Sequence, residues 1–335
     1  MKKIICIFAA VILLLSMTAC GTDAVSSAAE ETTLHAAQQP ESMAADYALT
    51  AKWLQEKVPE PSMGAVGGEW LVLGLARSDV EGLEEYFEAY GERVAACTAQ
   101  QGGVLHGKKY TEYSRVILAW TAIGRDAADV GGFDLLVPLA DFEQTVFQGI
   151  NGPIFALLAL DSGNYEIPES MVNSTQATRD MYVDYILSAE LPDGGWSLAG
   201  GAAETDITAM ALQALAKYCD RKDAAEAVER GLAVLSEQQN SNGGYTSYDA
   251  ESSESIAQTI VALTELGISL EDPRFVKNGN TLLDALLRFR LEDGSFSHLM
   301  DGEADLLATE QAFYALVALH RTEQGKPSLY RMKQA

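Results

Sequence analysis

The stretch Asp193-Gly194-Gly195-Trp196-Ser197 recurs as Asn242-Gly243-Gly244-Tyr245-Thr246 and again as Asp293-Gly294-Ser295-Phe296-Ser297. The copies begin 49 and 51 residues apart (242 − 193 = 49 and 293 − 242 = 51), a spacing typical of repeat architectures. Each copy follows one apolar helical run and precedes a second run rich in Ala and Leu. The glycines allow the positive φ of a sharp helix-to-helix reversal, and the aromatic residue can fill the seam between neighbouring helical hairpins.

Weaker copies extend the same pattern toward the amino terminus, and no series of strands competes with it. Small residues on the inner runs, such as Ala209 and Ala312, favour close packing of inner helices and a closed ring over an open solenoid. The predicted fold class is therefore all-α, an (α/α)6 ring of six helical hairpins at residues 45–325, followed by a tail at 326–335. Outer runs are predicted at residues 47–58, 83–101, 131–148, 176–190, 223–239 and 273–290, and inner runs at 69–76, 112–124, 153–160, 204–218, 255–267 and 308–320.

The amino terminus carries a targeting signal. Lys2 and Lys3 precede a short apolar run at residues 4–15, and small residues then lead to Cys20. This arrangement resembles the lipobox of bacterial lipoproteins, which implies a signal peptide at residues 1–19 and lipid on the Cys20 thiol. The segment 20–44 is rich in Ala, Ser, Thr and Glu, which is typical of a flexible tether. The predicted location is extracytoplasmic, on the cell surface and anchored in the membrane; an ordinary secretory signal is the alternative.

Charge and cysteine content exclude several classes of protein. The net charge of −25 argues against nucleic-acid binding, which needs a basic surface, and against simple electrostatic adhesion to anionic lipid. There is no C-x-x-C pair, so a cysteine-based zinc site or redox motif is not expected. Cys97 and Cys219 either form a disulfide outside the cell or remain small thiols in a helical core.

The repeat carries a family resemblance. Gln239-Asn240-Ser241-Asn242-Gly243-Gly244-Tyr245 resembles the Q-x-x-x-G-x-aromatic repeat of the squalene-cyclase and protein-prenyltransferase superfamily, with Glu190 and Arg290 at the Gln position of the other copies. The resemblance implies that family's α/α toroid. It does not extend to the usual catalytic motifs. The chain has no D-x-D-D acid motif, and the zinc-binding Asp-x-Cys pair of prenyltransferases falls on Glu204-Thr205-Asp206, without a cysteine. The later zinc-binding histidine falls near Gln311, so zinc is not expected.

Acidic residues cluster where the inner runs begin. Helix capping is one explanation for them, since a carboxylate near a helix start stabilises the helix by about 0.3–1 kcal/mol. The alternative is an acidic rim around the ring cavity, with Glu204, Asp206 and Glu310 as candidate catalytic acids. Glu204, Asp206 and Gln311 also offer oxygen ligands of the kind that suits Ca²⁺ or Mg²⁺.

Two further groups of residues are candidate ligand-binding elements. Lys108, Lys109, Tyr110 and Arg115 form a cationic stretch, which either grips an anion or softens charge repulsion as a solvated loop. Aromatic residues on inner runs either line the cavity or pack in the core, and the candidates for the cavity are Trp70, Tyr113, Trp120 and Tyr314.

The predicted function follows from the ring and the anchor. The chain is expected to be a surface lipoprotein whose toroid binds a hydrophobic or polycyclic small molecule, or presents its rim to a partner protein. One alternative is an isoprenoid-handling enzyme, a terpenoid cyclase or a prenyltransferase-like protein, that uses Asp206 or Glu310 as a non-standard acid. A second alternative is a glycan-active enzyme, which would need paired acids across a groove.

Overall fold

The structure, a computed structural model, describes residues 41–170, 174–247 and 250–333. The predicted signal peptide, the lipidated Cys20 and most of the predicted tether lie outside these residues. The first helix begins at Glu41, inside the segment predicted to be tether. Within the described ranges, no helix combines the length and the apolar character that crossing a bilayer requires.

The described chain forms twelve α-helices and one small hairpin of strands, so the prediction of an all-α fold is confirmed. The outer helices are α1 (Glu41–Lys57), α3 (Glu84–Gln100), α5 (Phe142–Val146), α7 (Arg179–Ser188), α9 (Lys222–Gln238) and α11 (Leu282–Leu287). The inner helices are α2 (Glu69–Arg77), α4 (Thr111–Ala122), α6 (Asn151–Ser162), α8 (Thr205–Leu215), α10 (Ser253–Glu265) and α12 (Leu306–Glu323). The strands β1 (Thr246–Ser247) and β2 (Ala250–Glu251) pair antiparallel, with Thr246 opposite Glu251.

The six inner helices close into a ring. Each packs on the next in chain order, and α12 returns to pack against both α2 and α1. The first outer helix is also bonded to the last repeat turn: the Thr50 hydroxyl donates to the Gly294 carbonyl at 2.7 Å, and Trp53 Nε1 donates to Asp293 Oδ2 at 3.0 Å. The predicted closed (α/α)6 toroid is thus confirmed.

Two outer elements are shorter than the sequence pattern predicts. The run at 131–148 contains only a 3-10 turn (Val137–Ala140) and the five-residue α5, and the run at 273–290 contains only the six-residue α11. Gly131 and Gly132 have φ of 62° and 85°, and Asn278 has φ of 51°. Because positive φ is incompatible with a right-handed helix, the chain turns at these residues. The prediction of full outer helices is wrong here.

The aromatic residues of the repeat turns are core plugs, as the sequence predicts. Trp196, Tyr245 and Phe296 are fully buried. The Trp196 amide donates to the Thr208 hydroxyl at 3.0 Å, and the Phe296 amide donates to the Thr309 hydroxyl at 2.9 Å. The Trp196 and Phe296 plugs therefore each join a repeat turn to the inner helix that follows it.

The tail after α12 folds back over the carboxyl ends of the inner helices. Its anchor is Arg77, whose guanidinium donates to four tail carbonyls, those of Pro327, Ser328, Leu329 and Arg331, at 2.8–3.3 Å. The tail side chain Tyr330 is buried. The amides of Met332 and Lys333 donate to the Ser162 carbonyl at the end of α6. One end of the ring is therefore covered by the chain's own tail.

Candidate functional site

The inner helices begin at the end of the ring opposite the tail, and three aromatic rings meet inside the ring. The ring centroid of Trp70 on α2 lies 5.7 Å from that of Phe155 on α6 and 6.0 Å from that of Tyr314 on α12. Helices α2 and α6 are separated by α4 in the ring, so the contact between Trp70 and Phe155 places these side chains toward the ring axis. The sequence predicted Trp70 and Tyr314 here, and it missed Phe155.

Most inner-helix residues are fully buried, but each inner helix carries partly buried residues in its first turns. A spacing of three to four residues puts such positions on one face of each helix. We call this set, together with Tyr314, the ring mouth: Trp70, Arg115, Phe155, Met210, Gln258 and Gln311. The set combines a largely apolar body with two amide side chains.

Hydrogen bonds fix the amides of the ring mouth and continue below it. Gln258 Nε2 donates to Gln311 Oε1 at 2.9 Å and to the Tyr314 hydroxyl at 2.5 Å. Gln213 Nε2 donates to Gln258 Oε1 at 2.9 Å, and the Tyr330 hydroxyl donates to Gln213 Oε1 at 3.3 Å. A connected polar chain thus runs from the buried tail to the ring mouth.

Two buried carboxyl groups, Glu310 on α12 and Glu69 on α2, lie beside the ring mouth. Each residue is only 1% exposed. Glu310 Oε2 accepts the Gly67 amide at 3.3 Å and Glu69 Oε1 accepts the Gly64 amide at 2.7 Å, so each oxygen holds the loop before α2. The second oxygen of each group has no hydrogen-bond partner among the described residues.

Burial controls the protonation of these acids. It raises the pKa of the Glu310 carboxyl from its ordinary 4.5 to about 7 and also raises the pKa of Glu69. The positive charge of Arg115 opposes both shifts, while its guanidinium donates to the Glu112 carboxylate. Near neutral pH, Glu310 is therefore poised to hold or release a proton.

The other two predicted acids differ in position. Asp206 lies on α8 and is partly buried. Burial raises the pKa of its carboxyl group, and a hydrogen bond with Ser255 moderates that rise. Its Oδ1 has no partner among the described residues. Glu204 precedes α8, and its Oε2 accepts the Leu198 amide at 3.3 Å. This contact gives Glu204 a structural part in its loop.

One acid–histidine pair was missed by the sequence reasoning. His298 Nδ1 lies 2.8 Å and 2.9 Å from the two carboxylate oxygens of Glu254, at the start of α10. Burial raises the pKa of Glu254, and the nearby His298 counteracts that rise. The two residues are 44 positions apart in different repeats, so no local motif signals them. Met210 was also missed, although it occupies the repeat position of Gln311, two residues after the plug-binding threonine.

The predicted cationic stretch lies away from the ring mouth, Arg115 excepted. The Lys108 ammonium lies 5.5 Å from the Phe147 ring, and the amides of Lys108 and Lys109 both donate to His106 Nδ1. Tyr110 and Tyr113 line a separate cavity of about 460 Å³ between the loop before α4 and the segment at 133–141.

Trp120 also lies outside the ring mouth. Its Nε1 donates to the Asp126 carbonyl at 2.9 Å, and the Arg125 guanidinium lies 4.9 Å from its ring. The side chains of Tyr113 and Trp120 thus contact loops beside α4, whereas Arg115 reaches the acids of α2 and α12. The sequence could not separate Tyr113 and Trp120 from the aromatic residues of the ring mouth, because all of them fit a buried helical pattern.

The described residues do not gather a metal site. No three His, Cys, Asp or Glu side chains in the described ranges lie close enough to share an ion. Of the oxygen ligands suggested for Ca²⁺ or Mg²⁺, Glu204 holds the Leu198 amide and Gln311 accepts from Gln258. Cys97 and Cys219 are free thiols, and Cys219 is exposed, so the disulfide alternative is not realised in this structure.

Exposed apolar side chains surround the end of the ring where the inner helices begin. They lie on the loops that lead into inner helices or on the first residues of those helices, and they are Val66, Val104, Phe147, Leu198, Leu299, Met300 and Leu307. These side chains give that end an apolar rim around acidic helix starts.

Comparison with known proteins agrees with this architecture. Residues 208–331, which span α8 to α12, match the family model of the prenyltransferase alpha-alpha toroid domain. No curated protein matches the sequence. The carboxyl-terminal part of the chain is thus similar to this toroid domain, and the ring described above continues the same arrangement of helical hairpins in the amino-terminal part.

Solved structures with the same fold belong to two kinds of enzyme. A variant of the type II terpene cyclase MstE from Scytonema, in complex with geranylgeranyl dihydroxybenzoate as substrate, is 12% identical with a TM-score of 0.57, covering 84% of this chain and 98% of that one. The unsaturated glucuronyl hydrolase from Bacillus sp. GL1, responsible for glycosaminoglycan degradation, is 13% identical with a TM-score of 0.55, covering 88% and 100%. At this identity the likeness establishes the fold alone.

Proposed function

We propose that this protein binds a hydrophobic or polycyclic small molecule in the ring mouth. The observation that carries the proposal is the meeting of Trp70, Phe155 and Tyr314 at a place where the inner helices are only partly buried. Aromatic pairs in such offset or tilted arrangements gain about 0.5–1.5 kcal/mol beyond the burial of their area. A flat apolar ligand would extend this cluster.

The polar part of the ligand would meet the amides of Gln258 and Gln311. Hydrogen bonds already position these groups, so their side chains would lose little conformational entropy when a ligand binds. The terpene cyclase MstE, with the same fold, binds a substrate that joins an apolar chain to a polar ring. A partner protein that delivers or accepts the ligand would meet the exposed apolar rim.

A fluorescent probe tests this proposal directly. N-phenyl-1-naphthylamine is neutral and polycyclic, and its emission rises when it enters an apolar site. Emission should rise with the natural chain and with Phe147→Ala, which removes an exposed ring outside the mouth, and should fall strongly with Trp70→Ala. Equal emission from both variants would place the probe elsewhere and overturn the proposal.

An enzyme with Glu310 or Asp206 as its acid is the second candidate, and the pKa of about 7 for Glu310 favours it. A group whose pKa lies near the working pH transfers protons efficiently to and from oxygen or nitrogen. Protonation of an alkene, as in a terpenoid cyclase, demands a much stronger acid. Among the enzymatic alternatives, cleavage of a glycosidic bond therefore fits Glu310 better than isoprenoid cyclisation.

The enzymatic alternative has its own test. Unsaturated glucuronyl oligosaccharides and geranylgeranyl dihydroxybenzoate would be incubated with the natural chain and with Glu310→Gln. Turnover that disappears in the variant would establish Glu310 chemistry, whereas binding without turnover of either substrate would leave the carrier role.

We further propose that lipid on Cys20 holds the protein on the outer face of a membrane. The support is the charged, apolar and small-residue pattern of residues 1–20. Several acyl chains are needed for stable anchoring, since each buried methylene contributes about 0.8 kcal/mol. Labelling of the natural chain with radioactive palmitate in its host, lost in Cys20→Ala, would support the anchor; an unlabelled natural chain would refute it.

A further inference from the structure

A second cavity, of about 300 Å³, lies at the opposite end of the ring, beneath the tail. We call it the tail cavity and define it by Leu158, Ala214, Lys217, Tyr330, Arg331 and Lys333. Its volume is at the lower limit of ordinary small-molecule sites. It is built from the carboxyl ends of α6 and α8 on one side and from the tail on the other.

The inner part of the tail cavity is apolar. Leu158 and Ala214 are buried on the inner helices, and Tyr330 is buried in the tail. The Tyr330 hydroxyl is already bonded to Gln213, so the tyrosine contributes a fixed apolar ring. A short hydrocarbon or aromatic group would therefore displace water from this wall at little conformational cost.

The opening of the tail cavity is cationic, in contrast to the rest of this acidic chain. Residues 321–335 contain four Lys or Arg and one Glu, a balance of +3 (4 − 1), in a protein of net charge −25. Lys217, Arg331 and Lys333 are exposed at the cavity. Within the described ranges, neither Arg331 nor Lys333 makes a salt bridge; Lys333 instead lies 5.0 Å from the Tyr165 ring.

The acids at the tail cavity are already engaged. Asp161 pairs with Arg179 at 2.8 Å and with Lys217 at 3.0 Å, and it accepts the Tyr218 hydroxyl at 2.8 Å. Glu265 accepts the Ser328 hydroxyl at 2.6 Å and the Tyr330 amide at 3.2 Å. These contacts occupy both carboxylates; burial raises the pKa of Glu265, and the charges of Arg331 and Arg77 oppose that rise. The exposed side chains of Arg331 and Lys333 are the charges that an incoming ligand meets at the opening.

We propose that the tail cavity is a second binding site, for a small amphiphile with one anionic headgroup and a short apolar body. The headgroup would lie between Arg331 and Lys333, with Lys217 at the edge, because charge-assisted bonds to a carboxylate or phosphate are the strongest that these groups make. The apolar body would lie against Leu158 and Tyr330. The site is separate from the ring mouth, since the two lie at opposite ends of the inner helices.

The same cations could instead stabilise the helices, and this explanation predicts a different experimental outcome. Cations near helix carboxyl ends stabilise the helix by about 0.3–1 kcal/mol, and this effect needs no ligand. In that case Arg331 and Lys333 would affect the stability of the fold and would leave ligand binding unchanged.

Octanoate, with octanol as its uncharged counterpart, is the probe that separates these explanations. Calorimetric titration of the full chain should show octanoate binding, much weaker octanol binding, and a loss of octanoate affinity of about tenfold or more in the double variant Arg331→Gln, Lys333→Gln. The double variant Lys108→Gln, Lys109→Gln makes the same change in net charge at the other end and should bind octanoate as the natural chain does.

Three results would overturn the proposal. They are the absence of octanoate binding, equal affinity in the two double variants, and equal affinity for octanol and octanoate. Thermal unfolding of each variant establishes that the titrations compare folded proteins.

Discussion

Trp53 Nε1 donates a hydrogen bond of 3.0 Å to Asp293 Oδ2, although 240 residues separate the two. Trp53 belongs to the first outer helix, and Asp293 begins the last copy of the repeat turn. Next to this bond, a Cβ on Gly294 would lie 2.7 Å from Leu49 Cγ and 2.9 Å from the Leu49 carbonyl carbon. The repeat turn of the last hairpin therefore also forms the contact with the first outer helix, and this contact closes the ring.

Gly294→Ala should destabilise the protein more than Gly279→Ala. The two glycines have similar φ, 86° and 82°, so both substitutions carry the left-handed strain of roughly 1–2 kcal/mol. Only Gly294 faces the backbone of α1, whereas the space beside Gly279 is open, and the overlap should add roughly 1–3 kcal/mol. Urea unfolding of the two variants measures the difference; equal free energies of unfolding would mean that the ring does not close at this contact.

The unfolding free energy should depend on the protonation of Glu310. Its folded-state pKa is raised, so its contribution is fully present below the ordinary pKa of 4.5 and is lost as pH rises from there to about 7. A shift of this size corresponds to about 3 kcal/mol, since one pKa unit is about 1.4 kcal/mol.

Glu310→Gln removes this group and keeps the acceptor for the Gly67 amide. The free energy of unfolding, measured from pH 4 to 8, should therefore fall less steeply with rising pH in Glu310→Gln than in the natural chain. Glu69, Asp206 and Glu265 also have raised pKa values, so a slope remains in the variant. Parallel pH profiles in the two proteins would show that folding does not raise the pKa of Glu310.

Arg77→Met should release the tail. The substitution keeps much of the apolar stem but removes the donors to four tail carbonyls, at a cost of about 1.5–3 kcal/mol for partly buried hydrogen bonds from a charged group. Burial lowers the pKa of Arg77 to about 10, so it remains charged at neutral pH. Brief trypsin digestion should cut the bond after Arg331 in Arg77→Met and spare that bond in the natural chain.

A matched control for this digestion is Lys52→Met, which removes a cation from an exposed helical position. If Lys52→Met and Arg77→Met released the tail at the same rate, the tail would not be held by Arg77.

The sequence predicted the ring because its determinants recur at a fixed spacing. Gly194, Gly243 and Gly294 adopt positive φ, and Trp196, Tyr245 and Phe296 are buried plugs, as the repeat requires. What it predicted less well depends on single turns that break the pattern. Asn278 with positive φ shortens one outer helix, and the Asn278-Gly279 pair is a turn signal that the surrounding apolar pattern obscured.

The candidate site was predicted only in part. Trp70, Tyr314, Gln311, Arg115 and Glu310 come from the inner starts of the repeat and meet at or beside the ring mouth. The contacts that complete the picture join distant residues: Glu254 with His298, and Gln213 with Tyr330, which are 117 positions apart. Such pairs depend on how the ring closes, and a single sequence gives no local sign of them.

Native mass spectrometry of the protein purified from its own host tests the central claim most directly. The natural chain and Lys52→Met, which changes an exposed residue of the outer helix α1, should retain the same small molecule, a hydrophobic or polycyclic compound, and Trp70→Ala should lack it. A natural chain that carries no small molecule, or a Trp70→Ala protein that retains it undiminished, would contradict a ligand site at the ring mouth.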